Sequence, residues 1–287
     1  MGEKMIKVIN LRKKYGDFEA LKGISFEVEK GVIFSFLGPN GAGKTTTIEI
    51  LEGLRKKTSG EIYFFGKKVE KVGKELKEKI GVLLQRTELF RELTVIETLS
   101  LFRSFYEKGY NPEEVLEIVG LEEKKKSRVR NLSGGQFQRL CFGLSIINDP
   151  KILFLDEPTT GLDPQARRHI WDLILKFKRE GKTIFLTTHY MEEAQNLSDM
   201  VCIIDNGKIV AQGSPDELIR NSGLNSIIEI EGEYDFGEVV EGKTIIETSN
   251  VMEEINKLLN IGIENFTVRH PTLEDVFLKL TGRGLRD

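Results

Sequence analysis

The sequence predicts an α/β protein built on a mostly parallel sheet, with a helical insertion in that sheet and a small α+β appendage after it. Three observations predict this. Short β-branched and aromatic runs alternate with helix-period segments, the pattern of parallel strands joined through helices. Between two such runs, residues 87 to about 147 turn wholly helical, which reads as an insertion. Beyond Gly223 the alternation stops and short strands mix with isolated helices. Residues 1–221 are therefore assigned to the main domain and residues 222–287 to the appendage.

In chain order, residues 6–11, 23–28 and 32–37 read as strands, and residues 45–54 as a helix. Residues 60–66 form a short strand pair ending in a turn. Residues 74–79 are polar and helix-like, and residues 80–84 are a buried-strand run. Within the insertion, residues 94–106, 112–119 and 134–147 carry apolar side chains at three- and four-residue steps. A strand at 152–155, a helix at 165–179 and a strand at 183–187 follow. Residues 200–205 and 208–211 pair through Asn206-Gly207, a dipeptide suited to a two-residue hairpin turn. Residues 216–221 are helical. The appendage reads as strands at 227–230, 244–247 and 266–269 with helices at 251–259 and 272–280.

At 287 residues, 39% hydrophobic and 30% charged, the chain can bury one large core or two modest ones. A net charge of −3 leaves no electrostatic footprint for a nucleic-acid partner, and none is expected. No apolar run approaches the roughly 20 residues of a membrane-spanning helix. The start, Met1-Gly2-Glu3-Lys4-Met5-Ile6-Lys7, lacks a signal-peptide apolar core, and Ile6 stands where a myristoylation signal needs Ser or Thr. Cys141 and Cys202 lie in apolar surroundings and read as core residues of a reducing compartment, so a cytoplasmic location is expected.

The chemistry begins at Gly38-Pro39-Asn40-Gly41-Ala42-Gly43-Lys44-Thr45-Thr46, which fits Gly-x-x-x-x-Gly-Lys-[Ser/Thr] between a strand and a helix. Glycines let backbone N–H groups wrap phosphate oxygens, and the helix start adds positive potential. Lys44 is placed to reach the β/γ-phosphates of ATP, and the Thr45 hydroxyl to hold Mg²⁺. Far along the chain, Ile152-Leu153-Phe154-Leu155 ends in Asp156-Glu157. Adjacent acids at the end of a buried strand need compensation, which Mg²⁺ on Asp156 supplies. Glu157, expected on the opposite side of the pleat, is the candidate base for the attacking water. Leu132-Ser133-Gly134-Gly135-Gln136 opens a helix with glycines and a hydroxyl, a second anion-binding helix start.

One NTPase site does not need two phosphate cradles so far apart, and here the chain resembles the nucleotide-binding subunits of ABC transporters. The resemblance runs from residue 4 to about 220. It implies a P-loop core with an antiparallel β subdomain and the helical insertion. It also implies a head-to-tail dimer in which Ser133, Gly134, Gly135 and Gln136 of one copy close over the ATP held by the other. It assigns Tyr15 to stack on adenine, Gln85 to reach Mg²⁺ and the attacking water, Asp163 of Gly161-Leu162-Asp163 to connect the two sites, and His189 to contact the γ-phosphate. His169 and His270 match no motif. Phe137 and Cys141-Phe142-Gly143 depart from the family's usual pattern on the signature helix.

The implied partners are a second copy, or a related ATPase subunit, and an integral-membrane permease that would hold the protein at the cytoplasmic face of the membrane. Leu89, Phe90, Leu101, Phe102, Phe105 and Tyr106 are candidates for a groove receiving a permease helix. The ending Pro271-Thr272-Leu273-Glu274-Asp275-Val276-Phe277-Leu278-Lys279-Leu280-Thr281-Gly282-Arg283 resembles that of ATPases serving ABC-2-type exporters of drugs, sodium, lipid or polysaccharide. On its helix Leu273, Val276, Phe277 and Leu280 are expected on one face. The competing class is a soluble ABC ATPase of repair, translation or cofactor assembly. A single cassette without sustained heptads speaks against it.

Overall fold

The computed structural model describes residues 2–282, so Arg283 of the terminal motif lies outside the described residues. The chain divides into two compact units, with the boundary between Ser214 and Pro215.

The first unit opens with β1 (Lys4–Tyr15), β2 (Phe18–Glu29) and β3 (Ile33–Leu37), followed by α1 (Lys44–Glu52). β4 (Ser59–Phe64), β5 (Lys67–Lys68), a short α2 (Lys74–Lys77) and β6 (Ile80–Leu83) come next. The insertion holds α3 (Val95–Arg103), α4 (Pro112–Val119) and α5 (Gly134–Ile146). The chain returns through β7 (Ile152–Asp156), α6 (Pro164–Arg179), β8 (Thr183–Thr188), α7 (Met191–Leu197), β9 (Met200–Asp205) and β10 (Lys208–Gly213). Two sheets result. An antiparallel sheet runs β2-β1-β4-β5, and a six-stranded sheet runs β10-β9-β3-β8-β7-β6, parallel except where β10 pairs with β9.

The apolar strand runs are explained by what lies on each face of the six-stranded sheet. Period-2 alternation sends successive side chains to opposite sides. Ile33, Leu153, Leu155, Ile184 and Leu186 join the core of the helical insertion, together with α5, α6 and Leu197. Phe34, Phe36, Ile152, Phe154 and Phe185 join a second core, under the antiparallel sheet and α1. There Phe34 stacks on Phe26 at 5.5 Å and on Phe185 at 5.6 Å between ring centroids. Each fully buried ring stabilises the fold by about 1.5–3 kcal/mol, and such aromatic pairs add about 0.5–1.5 kcal/mol.

Capping boxes start the insertion's helices: Thr94 with Glu97, Asn111 with Glu114, and Ser133 with Gln136. Gly143 explains one departure on α5. A Cβ there would lie 2.9 Å from Val115 Cγ1, so the glycine lets α4 and α5 approach closely, while Cys141 and Phe142 are buried beside it. The thiol of Cys141 is pushed up to about 12 by burial, and that of Cys202 is also raised by burial.

The second unit begins with α8 (Pro215–Asn221) and continues through β11 (Ser226–Glu231), β12 (Glu238–Val240), β13 (Lys243–Thr248), α9 (Val251–Asn260), β14 (Phe266–Arg269) and α10 (Leu273–Thr281). Its antiparallel sheet runs β12-β13-β11-β14 around Ile228, Ile230 and Leu258. α8 packs with α10 inside this unit, seven residues ahead of the boundary that sequence composition suggests. On α10, Leu273, Val276 and Phe277 are buried. Leu280 shares that face but stays exposed, one residue before the helix ends at Thr281.

Most sequence expectations fall within one to three residues of these elements. The exceptions have physical reasons. β1 and β2 run far longer than the apolar runs because bulges, around Asn10 for one, carry the ladder on through polar residues. α1 stops at Glu52 because Gly53 turns left-handed, at φ 81°. α7 carries no side-chain N-cap, and β12 is a fully exposed edge, so neither left a pattern to read.

Candidate active site

The phosphate loop leaves the C-terminal end of β3 and runs into α1. Three glycines serve it for different reasons. A Cβ on Gly38 would lie 2.2 Å from the Ile204 carbonyl oxygen, and one on Gly43 would lie 2.7 Å from Leu21 Cδ2. Gly41 has open space but a φ of 80°, which only glycine adopts without strain. α1 has no acid in its first turn, so nothing neutralises its positive end.

Lys44 folds back over the loop. Its Nζ donates to the carbonyls of Gly38 (2.7 Å) and Pro39 (3.1 Å) and lies 3.5 Å from Glu157 Oε1. Burial lowers the Lys44 pKa, and the Glu157 charge partly offsets this. Asp156 ends β7 and is buried, with the Thr187 hydroxyl donating to it; desolvation raises its pKa.

Glu157 does not continue the pleat. Its φ is +48°, so the backbone leaves the strand in a left-handed turn, held by its N–H on the Thr187 carbonyl and hydroxyl, both at 3.1 Å. That turn, rather than strand alternation, aims the carboxylate. Gln85 Nε2 donates to its Oε2 at 2.9 Å and Thr160 Oγ1 at 3.2 Å. His189 Nδ1 is 3.2 Å from the same oxygen but off the line a hydrogen bond needs. Burial pushes the Glu157 carboxyl up, but the His189 ring, the Lys44 ammonium and the Gln85 amide more than reverse it, bringing it down to about 2. It is therefore an anion at neutral pH.

Of these groups Lys44, Gln85 and Glu157 line a pocket of about 330 Å³, while Asp156 and His189 stand behind Glu157 and are not among its walls. Its walls include Tyr15, Asn40, Gly41, Gly43, Lys44, Thr45, Thr46, Gln85 and Glu157. Pro39 and Ala42 close the loop behind it through an Ala42 N–H to Pro39 carbonyl bond of 3.2 Å. Sequence reading missed Phe18 and Ala20, which line the same pocket beside the β1–β2 turn. A lone exposed aromatic on a turn has no periodic signal, although its place three residues after Tyr15 is a hint. Cations already flank Tyr15, with Lys13 Nζ 4.8 Å and Arg55 Cζ 5.3 Å from its ring centroid.

The pocket fits a nucleoside triphosphate: glycines hold the backbone close, a helix start faces the phosphates and a lysine waits on carbonyls that phosphate can replace. It also fits Mg²⁺, because buried Asp156 has no full-strength cationic partner and Thr45 lies within its electrostatic reach. Among the described residues no three His, Cys, Asp or Glu side chains converge on a metal position.

Ser133, Gly134, Gly135, Gln136 and Asp163 do not line this pocket. Ser133 caps α5, accepting from Gln136 N at 3.3 Å, while its own N–H donates to Gln136 Oε1 at 3.0 Å. A Cβ on Gly134 would meet nothing, whereas Gly135 sits against Ala166 at the start of α6. Asp163 caps α6 by accepting from Ala166 N at 2.8 Å.

The six groove candidates separate. Leu89 lines a hollow of about 840 Å³ beside Gln85, with Leu84, Leu132, Phe137 and the guanidinium-bearing Arg86 and Arg91. Phe102 and Tyr106 pack on the insertion's own core, Leu101 is half-buried on α3, and Phe90 and Phe105 are 67% and 63% exposed.

A P-loop beside a carboxylate pair, with a second glycine-opened helix start outside that pocket, defines an NTPase of the ATP-binding-cassette class. A model of the ABC transporter family matches residues 21–160. The chain is 38% identical to the Nod factor export ATP-binding protein I of Ralstonia nicotianae, across 99% of this chain and 95% of that protein. It is 36% identical to the linearmycin resistance ATP-binding protein LnrL of Bacillus subtilis, across 99% and 100%. The ATP-binding cassette MJ0796, solved as a dimer in a post-hydrolysis state with ADP and Pi, matches 73% of this chain and 98% of its own, with 29% identity and a TM-score of 0.66. The chain belongs to the ATP-binding subunits of the ABC transporter family and is an ATPase of that family.

Proposed function

We propose that the protein is the motor of a membrane exporter and works as a head-to-tail dimer with ATP at the interface. The observation that carries this is the separation of the two helix starts: none of Ser133, Gly134, Gly135 and Gln136 lines the Lys44 pocket of its own chain, and Gly134 instead borders the hollow of about 840 Å³, with open space where a Cβ would stand. Export is supported by relatives named for export and drug resistance at 36–38% identity over nearly the whole chain. The dimer is supported by the two-copy cassette with ADP and Pi.

In this reading Lys44 leaves the Gly38 and Pro39 carbonyls for the β/γ-phosphates, and Tyr15 stacks on adenine. Thr45, Asp156 and Gln85 would hold Mg²⁺, which when bound neutralises charge on the β- and γ-phosphate oxygens. Glu157, freed from Lys44, accepts the proton of the attacking water, and His189 holds the γ-phosphate. Gln85 stands at both the pocket and the 840 Å³ hollow, so a permease helix in that hollow would sense the state of the nucleotide. Among the described residues no helix is long and apolar enough to cross a membrane, and the permease would supply the membrane-spanning part.

The test is purification from membranes together with the ATP-hydrolysis rate at varied protein concentration. A multi-span partner and a rate rising with the square of dilute protein are expected. A soluble partner only, or a strictly linear rate, would overturn the reading.

A further inference from the structure

Glu193 is fully buried on α7, four residues after His189. A single oxygen of it, Oε1, accepts from Thr159 Oγ1 at 2.8 Å and from Trp171 Nε1 at 2.9 Å. Thr159 lies two residues after Glu157, in the loop that leads to Asp163, and is itself fully buried. Trp171 lies on α6, the helix that Asp163 caps. One carboxylate therefore ties together the loop after the candidate base, the helix that this loop enters, and the segment that carries His189. The same loop is held from its other side, where Gln138 Nε2 of the signature helix donates to the Pro158 carbonyl at 2.6 Å. A buried acid is an expensive packing element. Glu193 Oε2 has no hydrogen-bond partner among the described residues, and Arg167, a cation whose charge acts on it, lies over the Tyr190 ring at 4.6 Å. What the acid supplies that a hydrocarbon cannot is one acceptor for two donors from different elements.

We propose that Glu193 is a positioning residue for ATP turnover, which fixes the loop from Glu157 to Asp163 relative to His189 through Thr159 and Trp171. This rests on the dimeric ATPase reading above. Glu193 touches no substrate atom in this role. It sets the distance between groups that do, and a misplacement of about 1 Å in such a constellation can cost about a hundredfold in rate.

The experiment measures kcat, KM for ATP and the Hill coefficient on the full chain and on Glu193→Leu, Glu193→Gln and Thr159→Val. In Glu193→Leu, kcat is expected to fall at least about tenfold with KM changed by less than about twofold. Glu193→Gln keeps an acceptor for both donors and is expected to recover most of the rate. Thr159→Val removes one hydroxyl only and is expected to fall between them, with a Hill coefficient moving from about 2 toward 1. If Glu193→Leu does not fold, Thr159→Val decides alone. Parental kcat and Hill coefficient in Thr159→Val overturn the inference, as does a Glu193→Gln protein no faster than Glu193→Leu. A parent that hydrolyses ATP without cooperativity removes the dimeric reading instead. A cooperative parent with unaffected variants removes only the role of Glu193.

Discussion

Two helix starts in this chain are built from the same parts, and only one borders the pocket that holds the lysine and the candidate base. At Lys44, glycines open α1, and its lysine faces a pocket together with Gln85, just after β6, and Glu157, just after β7. At Ser133, glycines open α5 with a hydroxyl, yet the serine caps its own helix and the space over Gly134 is empty. A helix start binds anions because its first N–H groups lack intrahelical acceptors, and this holds equally at both ends. What differs is the surrounding chemistry. The first has the lysine and the candidate base; the second has neither. The contrast teaches that local backbone geometry marks where phosphate can sit, while long-range folding decides where reaction can occur.

The sharpest way to break the comparison is to remove what only the first site has. Glu157→Gln keeps the shape and the Gln85 contact region but loses the anion. Its kcat is expected to fall by about 10²–10⁴ with ATP binding retained. Hydrolysis at the parental rate would remove Glu157 as the base. A mixing experiment then tests whether the two starts belong to one site. Lys44→Ala disables the first and Gly134→Asp, which has room for its side chain, disables the second. Each protein alone is expected to lose most of its turnover. Mixed together, they should regain part of it, because one mixed interface pairs an intact loop with an intact signature. No recovery on mixing means that the signature does not act across a dimer.

The smallest expected effect concerns stability on the Lys44 side. Glu52, at the end of α1, is buried with both carboxylate oxygens unpartnered. Burial, with the charges of Asp156 and Glu49 adding to it, pushes it from an ordinary 4.5 up to about 9. The folded chain thus keeps a proton that the unfolded chain releases near pH 4.5, so this contribution to stability is full below pH 4.5 and declines as pH rises to about 9. Glu52→Gln should raise the melting temperature at pH 8 by an amount worth about 1–3 kcal/mol, and change it little at pH 4. Equal shifts at both pH values would contradict a protonated Glu52.

How far the sequence reaches also differs between the regions. The phosphate loop was legible because Gly38, Gly41 and Gly43 are demanded by backbone contacts and φ values that no other residue meets. The acids after β7 were legible as a pair, but not the left-handed turn at Glu157, which depends on Thr187 of a neighbouring strand. Tyr15 could be read from its family position, while Phe18 became part of the pocket only through the β1–β2 hairpin. Glu193 was invisible in sequence because its partners, Thr159 and Trp171, lie 34 and 22 residues away. The six residues grouped by sequence did not stay together: Leu89 lines a hollow, but the aromatics grouped with it serve the helical core or stand in solvent. In each case the unread part depends on contacts between distant segments.

The alternation along β3, β7 and β8 has a further consequence for how such a protein can change. Neighbouring residues of one strand answer to different cores, so Phe154 and Leu155 can be altered under separate constraints. A redesigned layer of helices would need to match Ile33, Leu83, Leu153, Leu155, Ile184 and Leu186 on the sheet, leaving the phenylalanine side unedited. The sheet works as a standard coupling plate between a fixed motor and an exchangeable attachment.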